Sequence, residues 1–481
     1  MAAPSRALST RPAATVVIVS TAAFLASLDL FIVNIAFPEI RTAFGNADLA
    51  AMSWILNGYT VVFAAFLNPA GRLGDRYGHR RMFLWGLVVF TTASAACGLA
   101  PSFAMLVTAR VVQAVGAAML MPSSLALLLA AVPASRRAVA VGTWSAVGAM
   151  AAALGPPVGG LLVEASWRWI FFVNVPLGLL ALAAGPWVLA KTQTTGVGIP
   201  DLVGAVMLVL GIGALVWALV ELPTAGWTSA EVVTAALVAT ASMAGAAWRS
   251  VRHPSPALDL AVVRVIPMWS SCLALLVFSA GFAAMLLGSV MFLTTVWQLP
   301  PSVAGLYLSP GPVVVVVVSL TVAGRLVGRL GVGTVTALGA TLYVAGVVVW
   351  LCRVDVAPDY LADFLPGQIL TGAGVGLVIP SLSAVSGLAL QSHQWGSGSA
   401  LTNTARQLGT VLGTAILTMI YQPGIDLVTV RRGWVFVASA AATAVLIAVA
   451  LAVWWRADAM RRAAQPQARP MSAATASGRD M

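Results

Sequence analysis

Runs of about twenty apolar residues recur along nearly all of this 481-residue chain, and no other feature narrows its possible folds so far. Each run is as long as one helical crossing of a bilayer. The runs are continuous rather than alternating, which argues against a barrel of short strands. Charged residues make up 9% of the chain and hydrophobic ones 60%, too little charge to cover a soluble surface. The expected class is an all-α integral membrane protein. Its fourteen transmembrane helices are expected near 13–37, 50–71, 82–100, 103–132, 137–163, 167–190, 200–221, 231–248, 267–297, 302–324, 333–352, 364–390, 398–421 and 433–455. The first run starts behind Arg6 and Arg11, as a secretory leader would. It continues through Asp29 and Asn34 to Pro38, too long for a leader's apolar core.

The net charge of +11 brings nucleic acid to mind, but the basic residues form no contiguous face. They sit in short loops on alternate sides. Nineteen fall on the side of the termini and five on the other, namely Arg41, Arg168, Arg353, Arg431 and Arg432. The positive-inside rule then places both termini in the cytoplasm, with the chain in the cell membrane. Arg110 and Arg406 lie inside helices. Cys97, Cys272 and Cys352 have no metal spacing and no disulfide framework, and read as small core residues. No metal and no cofactor is expected. No Gly-x-x-x-x-Gly-Lys-[Ser/Thr] loop is present for ATP, and no catalytic cluster points to a membrane enzyme. His79, His253 and His393 fall in loops, where solvated roles are the default. Trp167, Trp169, Trp454 and Trp455 read as interfacial anchors.

An internal repeat organises the spans. Gly71-Arg72-Leu73-Gly74-Asp75-Arg76-Tyr77-Gly78 follows the second, and Gly324-Arg325-Leu326-Val327-Gly328-Arg329-Leu330-Gly331 follows the tenth, with five of eight positions identical. Gly116 to Pro122-Ser123 is echoed by Gly374 to Pro380-Ser381. Both copies have the same orientation, so the expected fold is two parallel six-helix bundles plus two inserted helices. The expected divisions are a cytoplasmic tail 1–12, a first bundle 13–190, an inserted pair 200–248, a second bundle 267–455 and a disordered tail 456–481. Substrate in such a repeat sits between the halves near the midplane.

Gly71-x-Leu73-x-Asp75-Arg76-x-Gly78-x-Arg80-Arg81 resembles the loop signature of the major facilitator superfamily. Leu28 to Pro38, Arg110-Val111-Val112-Gln113-Ala114-Val115-Gly116 and Gly155-Pro156-Pro157-Val158-Gly159-Gly160 resemble its fourteen-helix drug:proton antiporter branch. The likeness spans residues 13 to about 455. It implies proton-coupled efflux of lipophilic neutral or cationic small molecules by alternating access. The alternatives left open are a transporter dedicated to one metabolite, exporting or importing, and a sensor that transports nothing. The expected partners are a small-molecule substrate, protons and the lipid bilayer, with the chain acting as a monomer.

Physical roles follow for the residues that carry the likeness. Asp29 is the one acid well inside a predicted helix. Burial there disfavours a carboxylate's charge, the condition for taking up and releasing a proton. The family uses this position for protons or cationic substrates, although Phe31 stands where it usually has Thr. Arg110 is a fixed charge able to act on a nearby carboxyl, and the likeness implies proton coupling for it. In the loop, Gly71 and Gly78 are expected to make a tight turn. Asp75 is expected to act as a cytoplasmic latch, paired with an arginine such as Arg76, Arg80 or Arg81 or with a helix end of the other half. Gly155, Pro156, Gly159 and Gly160 allow close helix approach, and in the family they mark exporters. Asn34, Gln113, Asn403 and Arg406 are the candidates for the substrate cavity, with a helix–helix hydrogen bond as the other role open to Gln113.

Overall fold

The computed structural model describes residues 12–45, 49–133, 137–190, 201–254, 256, 262, 264–390 and 395–464. Among them every regular element is a helix. The first half comprises α1 (Pro12–Ala43), α2 (Leu49–Tyr77), α3 (His79–Leu99), α4 (Phe103–Ala131), α5 (Arg137–Ala165), the short α6 (Trp169–Phe172) and α7 (Asn174–Val188). An inserted pair follows, α8 (Leu202–Ala225) and α9 (Ala230–Arg252). The second half comprises α10 (Ile266–Met291), α11 (Pro301–Leu308), α12 (Pro310–Val318), α13 (Gly324–Leu330), α14 (Val332–Arg353), α15 (Leu365–Ala389), α16 (Trp395–Tyr421) and α17 (Leu427–Ala464). Residues 1–11 of the expected tail 1–12, residues 465–481 of the expected tail 456–481, and His393 lie outside the described residues, while residues 456–464, expected to be disordered, continue α17 as helix.

Apolar composition makes these segments helical, because only a helix satisfies its own backbone in lipid. Local signals set the ends. Ser102, Asp201 and Ser229 cap α4, α8 and α9 by accepting the backbone N–H of Met105, Gly204 and Val232. Gly78 (φ 95°) and Gly331 (φ 80°) stop α2 and α13 at the same point of the two repeats. Helices run past their expected ends: α1 continues to Ala43, and α2 carries the whole loop signature as far as Tyr77. α2 bends by 48° between Leu67 and Pro69.

Among the described residues, eleven helices are long and apolar enough to cross a membrane, or twelve with bent α2 counted as one span. The expected fourteen is not reached on that criterion. Those missing are α5 and α16, both long, at 29 and 27 residues. The Thr, Asn, Arg and Gln of α16 lower its hydropathy while fitting it to face other helices.

The halves repeat their packing. α1 lies on α4 and α5 as α10 lies on α15 and α16, and α3 lies on α4 and α7 as α14 lies on α15 and α17. Arginines at the helix ends away from the termini repeat too. Arg168 donates to the Ala100 carbonyl beyond α3 (3.1 Å), and Arg431 to the Val354 carbonyl beyond α14 (3.1 Å). α8 packs on α2 and on α16, so it bridges the two halves.

The hydrophobic core shows how the halves meet. Away from the termini one cluster runs through both, from Ile32, Phe37 and Ile55 to Phe278, Trp350 and Trp434. A smaller cluster under α8 also joins Val61 and Ala65 to Val411 and Ala415, and two clusters nearer the termini each belong to one half. Leu25, Phe63, Phe83 and Leu127 belong to the first half, and Met268, Val332 and Val385 to the second.

Candidate functional site

Four helices of the first half converge on Asp29. Asp29 (α1), Arg110 and Gln113 (both α4) are all fully buried. Three residues apart, Arg110 and Gln113 share one helix face. Arg110 Nη1 donates to Asp29 Oδ2, and also to Gln113 Oε1 at 2.8 Å. Gln113 Nε2 donates to Asp29 Oδ1 at 2.8 Å, and Asn174 Nδ2 of α7 donates to the same oxygen at 3.2 Å. The guanidinium is completed by the Ile55 carbonyl (3.2 Å from Nε) and the Tyr59 ring, whose centroid is 4.1 Å from Cζ. Ser94 Oγ of α3 accepts from Asn174 at 3.1 Å and donates to the Phe171 carbonyl at 2.9 Å. Buried charges persist when they are paired and hydrogen-bonded, and this pair has both.

Five residues on from Asp29 is 140° around the helix, and there α1 faces a different space. Phe31, Asn34 and Ile35 line a central cavity with about 1010 Å³ of empty space, its open mouth included. Phe282 and Met285 of α10, Trp350 of α14, Gln368 of α15 and Arg406 of α16 form the other walls. The cavity is therefore bounded by both halves. Arg406 also lines an adjoining recess with Thr60 and Thr414. Its Nη2 donates to Asn403 Oδ1 at 3.3 Å.

α5 supplies close approach both to α1 of its own half and to the other half. A side chain at Gly155 would lie 2.8 Å from Phe31 Cβ, and one at Gly159 would lie 2.8 Å from Ile32 Cγ1. One at Gly160 would meet the Pro301 carbonyl of the other half at 2.5 Å. Pro156 lies in the same helix, and its carbonyl is covered by Gly305 of α11. A second junction is the hydrogen bond from Thr414 Oγ1 to Asn57 Oδ1, which ties α16 to α2.

In the loop signature, Gly71 does not make the expected turn. Gly71 is inside α2, in ordinary contact with Pro122 (3.5 Å), and the turn belongs to Gly78 alone. Asp75 pairs with His79 one turn on, at 3.0 Å, so His79 is not a solvated loop residue. Its ring lies over Gly74, where a Cβ would come within 2.7 Å of Cε1. Arg80 Nη2 donates to the Pro186 carbonyl at the end of α7 (2.6 Å), Arg76 stacks on Tyr77, and Arg81 is exposed.

The family model described as Major Facilitator Superfamily matches residues 19–272, more than half the chain. The chain belongs to that superfamily. Among its relatives is Multidrug resistance protein Stp of Mycobacterium tuberculosis, 35% identical, the match covering 82% of this chain and 73% of that one. Another is the Tetracenomycin C resistance and export protein of Streptomyces glaucescens, 32% identical over 87% of this chain and 77% of that protein. Among solved structures, the peptide transporter POT in complex with sulfate superposes with a TM-score of 0.66 over 94% of each chain, at 16% identity, a likeness of fold.

For a superfamily member the division of residues is informative. Asp29 and Arg110 come together, as do Asn34 and Arg406 at the cavity. Gln113 makes the helix–helix hydrogen bond and is not on the cavity wall, because it is held between Arg110 and Asp29. Asn403 reaches the site through Arg406. Sequence reasoning passed over Asn174, Ser94 and Tyr59. Asn174, an amide inside an apolar run, was a usable signal, and the other two gave none. Trp167 is buried against Phe44 and Phe171 rather than sitting at an interface, while Trp169 is half-exposed. Cys97 is buried, but Cys352 is exposed and is not a core residue.

Proposed function

We propose that this chain exports lipophilic small molecules, drugs or antibiotics among them, in exchange for protons. It works by alternating access, as a monomer in the cell membrane with both termini cytoplasmic. Fourteen crossings arranged six, two and six are part of the same reading. The observation that carries it is the position of α1, which holds Asp29 in the buried ion pair and presents Phe31, Asn34 and Ile35 to the cavity between the halves. Protonation of Asp29 cancels the charge that Arg110 balances. The network then loosens, and the face of α1 that meets the cargo shifts with it. Proton and cargo thus act through one helix. A proton entering down 100 mV supplies about 2.3 kcal/mol.

Direction is supported by the relatives whose names carry resistance and export, and by the Gly155 to Gly160 element. The shared core away from the termini, beside separate cores near them, fits a conformation open to the cytoplasm. The test uses inverted membrane vesicles containing the full chain and a fluorescent lipophilic dye. Export gives accumulation that collapses with the proton gradient and is absent in Asp29→Asn. Proton-driven loss of dye would make the protein an importer.

A further inference from the structure

The charge of the cavity wall carries a further inference. The structure treats the arginines Arg110 of α4 and Arg406 of α16 in opposite ways. Arg110 is neutralised by Asp29 and surrounded by acceptors. Arg406 faces the central cavity and its adjoining recess. Among the described residues its guanidinium has one hydrogen bond, to the neutral amide of Asn403, and no carboxylate pairs with it. Among the described residues neither cavity has an Asp or Glu in its wall. A guanidinium keeps its proton under any ordinary condition and offers five N–H donors in a planar fork. The walls around it are aromatic and aliphatic, chiefly Phe31, Phe282, Met285 and Trp350. In such surroundings an unpaired charge is expensive, and an arriving anion is rewarded.

We infer that Arg406 anchors the cargo, and that the preferred cargo is an aromatic lipophile carrying an anionic or strongly accepting oxygen, such as a carboxylate, phenolate or enolate. The oxygen sits on the guanidinium fork, and the ring system lies against the aromatic wall. A lipophilic cation gains the same apolar contacts but meets a like charge. Asp29, the buried acid inside the first half, is committed to Arg110 and absent from the described cavity wall. This rests on the reading of the cavity as a cargo site.

The test measures binding to the purified full chain in lipid nanodiscs. Three fluorescent probes of similar size are compared: anthracene-9-carboxylate, its methyl ester and an acridinium cation. Wild type should bind the carboxylate about tenfold tighter than the cation, the size of one charge-assisted contact. Arg406→Gln should weaken the carboxylate about tenfold while changing the ester less than about threefold, and Arg406→Lys should recover part of the loss. Equal loss of carboxylate and ester in Arg406→Gln would make the arginine structural and overturn the inference, as would tighter binding of the cation by wild type. If Arg406→Gln does not fold, the wild-type ranking and the Arg406→Lys split decide alone. Failure of the export reading looks different: no probe moves in energised vesicles, while the carboxylate preference of the purified protein persists.

Discussion

At the scale of single residues, the buried network around Asp29 converts an electrostatic cost into a constraint on function. Arg110 has no route to neutrality, so removing either partner strands a charge in an apolar interior. Arg110→Ala should destabilise the protein by about 3–5 kcal/mol, read as a lowered melting temperature of the purified chain. The double variant Asp29→Asn/Arg110→Gln keeps hydrogen-bonding groups without charge, and should recover most of that stability with no proton-driven transport. Recovery of transport in the double variant would mean that the pair is structural. Asn174 positions the carboxylate from α7, and Asn174→Ala should leave the fold intact while shifting the pH profile of transport. An unchanged profile would reduce Asn174 to packing.

At the scale of elements, α5 and α8 are shaped by what they must touch. Gly160 leaves room for the backbone of the other half, and an added methyl has rigid carbonyl in front of it. Gly160→Ala should slow transport severalfold with normal expression, because the helix ends away from the termini cannot seat. A rate equal to wild type would show that this junction need not close. α8 depends on its cap. Asp201 accepts from Gly204 N–H (2.8 Å) and from Arg249 Nε of α9 (2.9 Å). Burial works against its charge, but these hydrogen bonds and the Arg249 charge outweigh it and hold the carboxyl below the usual range. The folded value is the lower one. The stabilisation is therefore complete above the ordinary carboxylate range and is lost as pH falls through the depressed folded value. Asp201→Ala should cost about 1 kcal/mol at neutral pH. The gap in melting temperature between it and wild type should close in acid.

For the molecule as a whole, the two halves share a large core away from the termini and a smaller one under α8, and each half has its own cluster nearer the termini. The Asn57–Thr414 hydrogen bond lies in the shared region and ties α2 to α16. With the native cysteines replaced, the pair Asn57→Cys/Thr414→Cys should form a disulfide that arrests transport, and reduction should restore it. Oxidised protein that still transports would show that this junction does not open in the cycle. α8, seated on both halves beside that seam, is placed to cover it from lipid.

The sequence by itself determined the helical membrane class, the doubled architecture and the identity of the ionisable residues within it. An apolar run has one way to satisfy its backbone in lipid, and a charge inside such a run is too costly to be incidental. Asp29 and Arg110 were legible for that reason, and Gln113 by its spacing on the same face. What covers them was not. Tyr59, Ser94 and the Ile55 carbonyl look like any other core atoms until α2, α3 and α4 are packed. The loop misled because Gly71 and Gly78 look alike in sequence, and only the backbone shows which has a positive φ. Only the tertiary structure decided that Asp29 and Arg406, two charges of opposite sign within the helices, do not meet. The first is spent inside one half, and the second is left facing the space between them, because 140° of helix turn separates the two faces of α1.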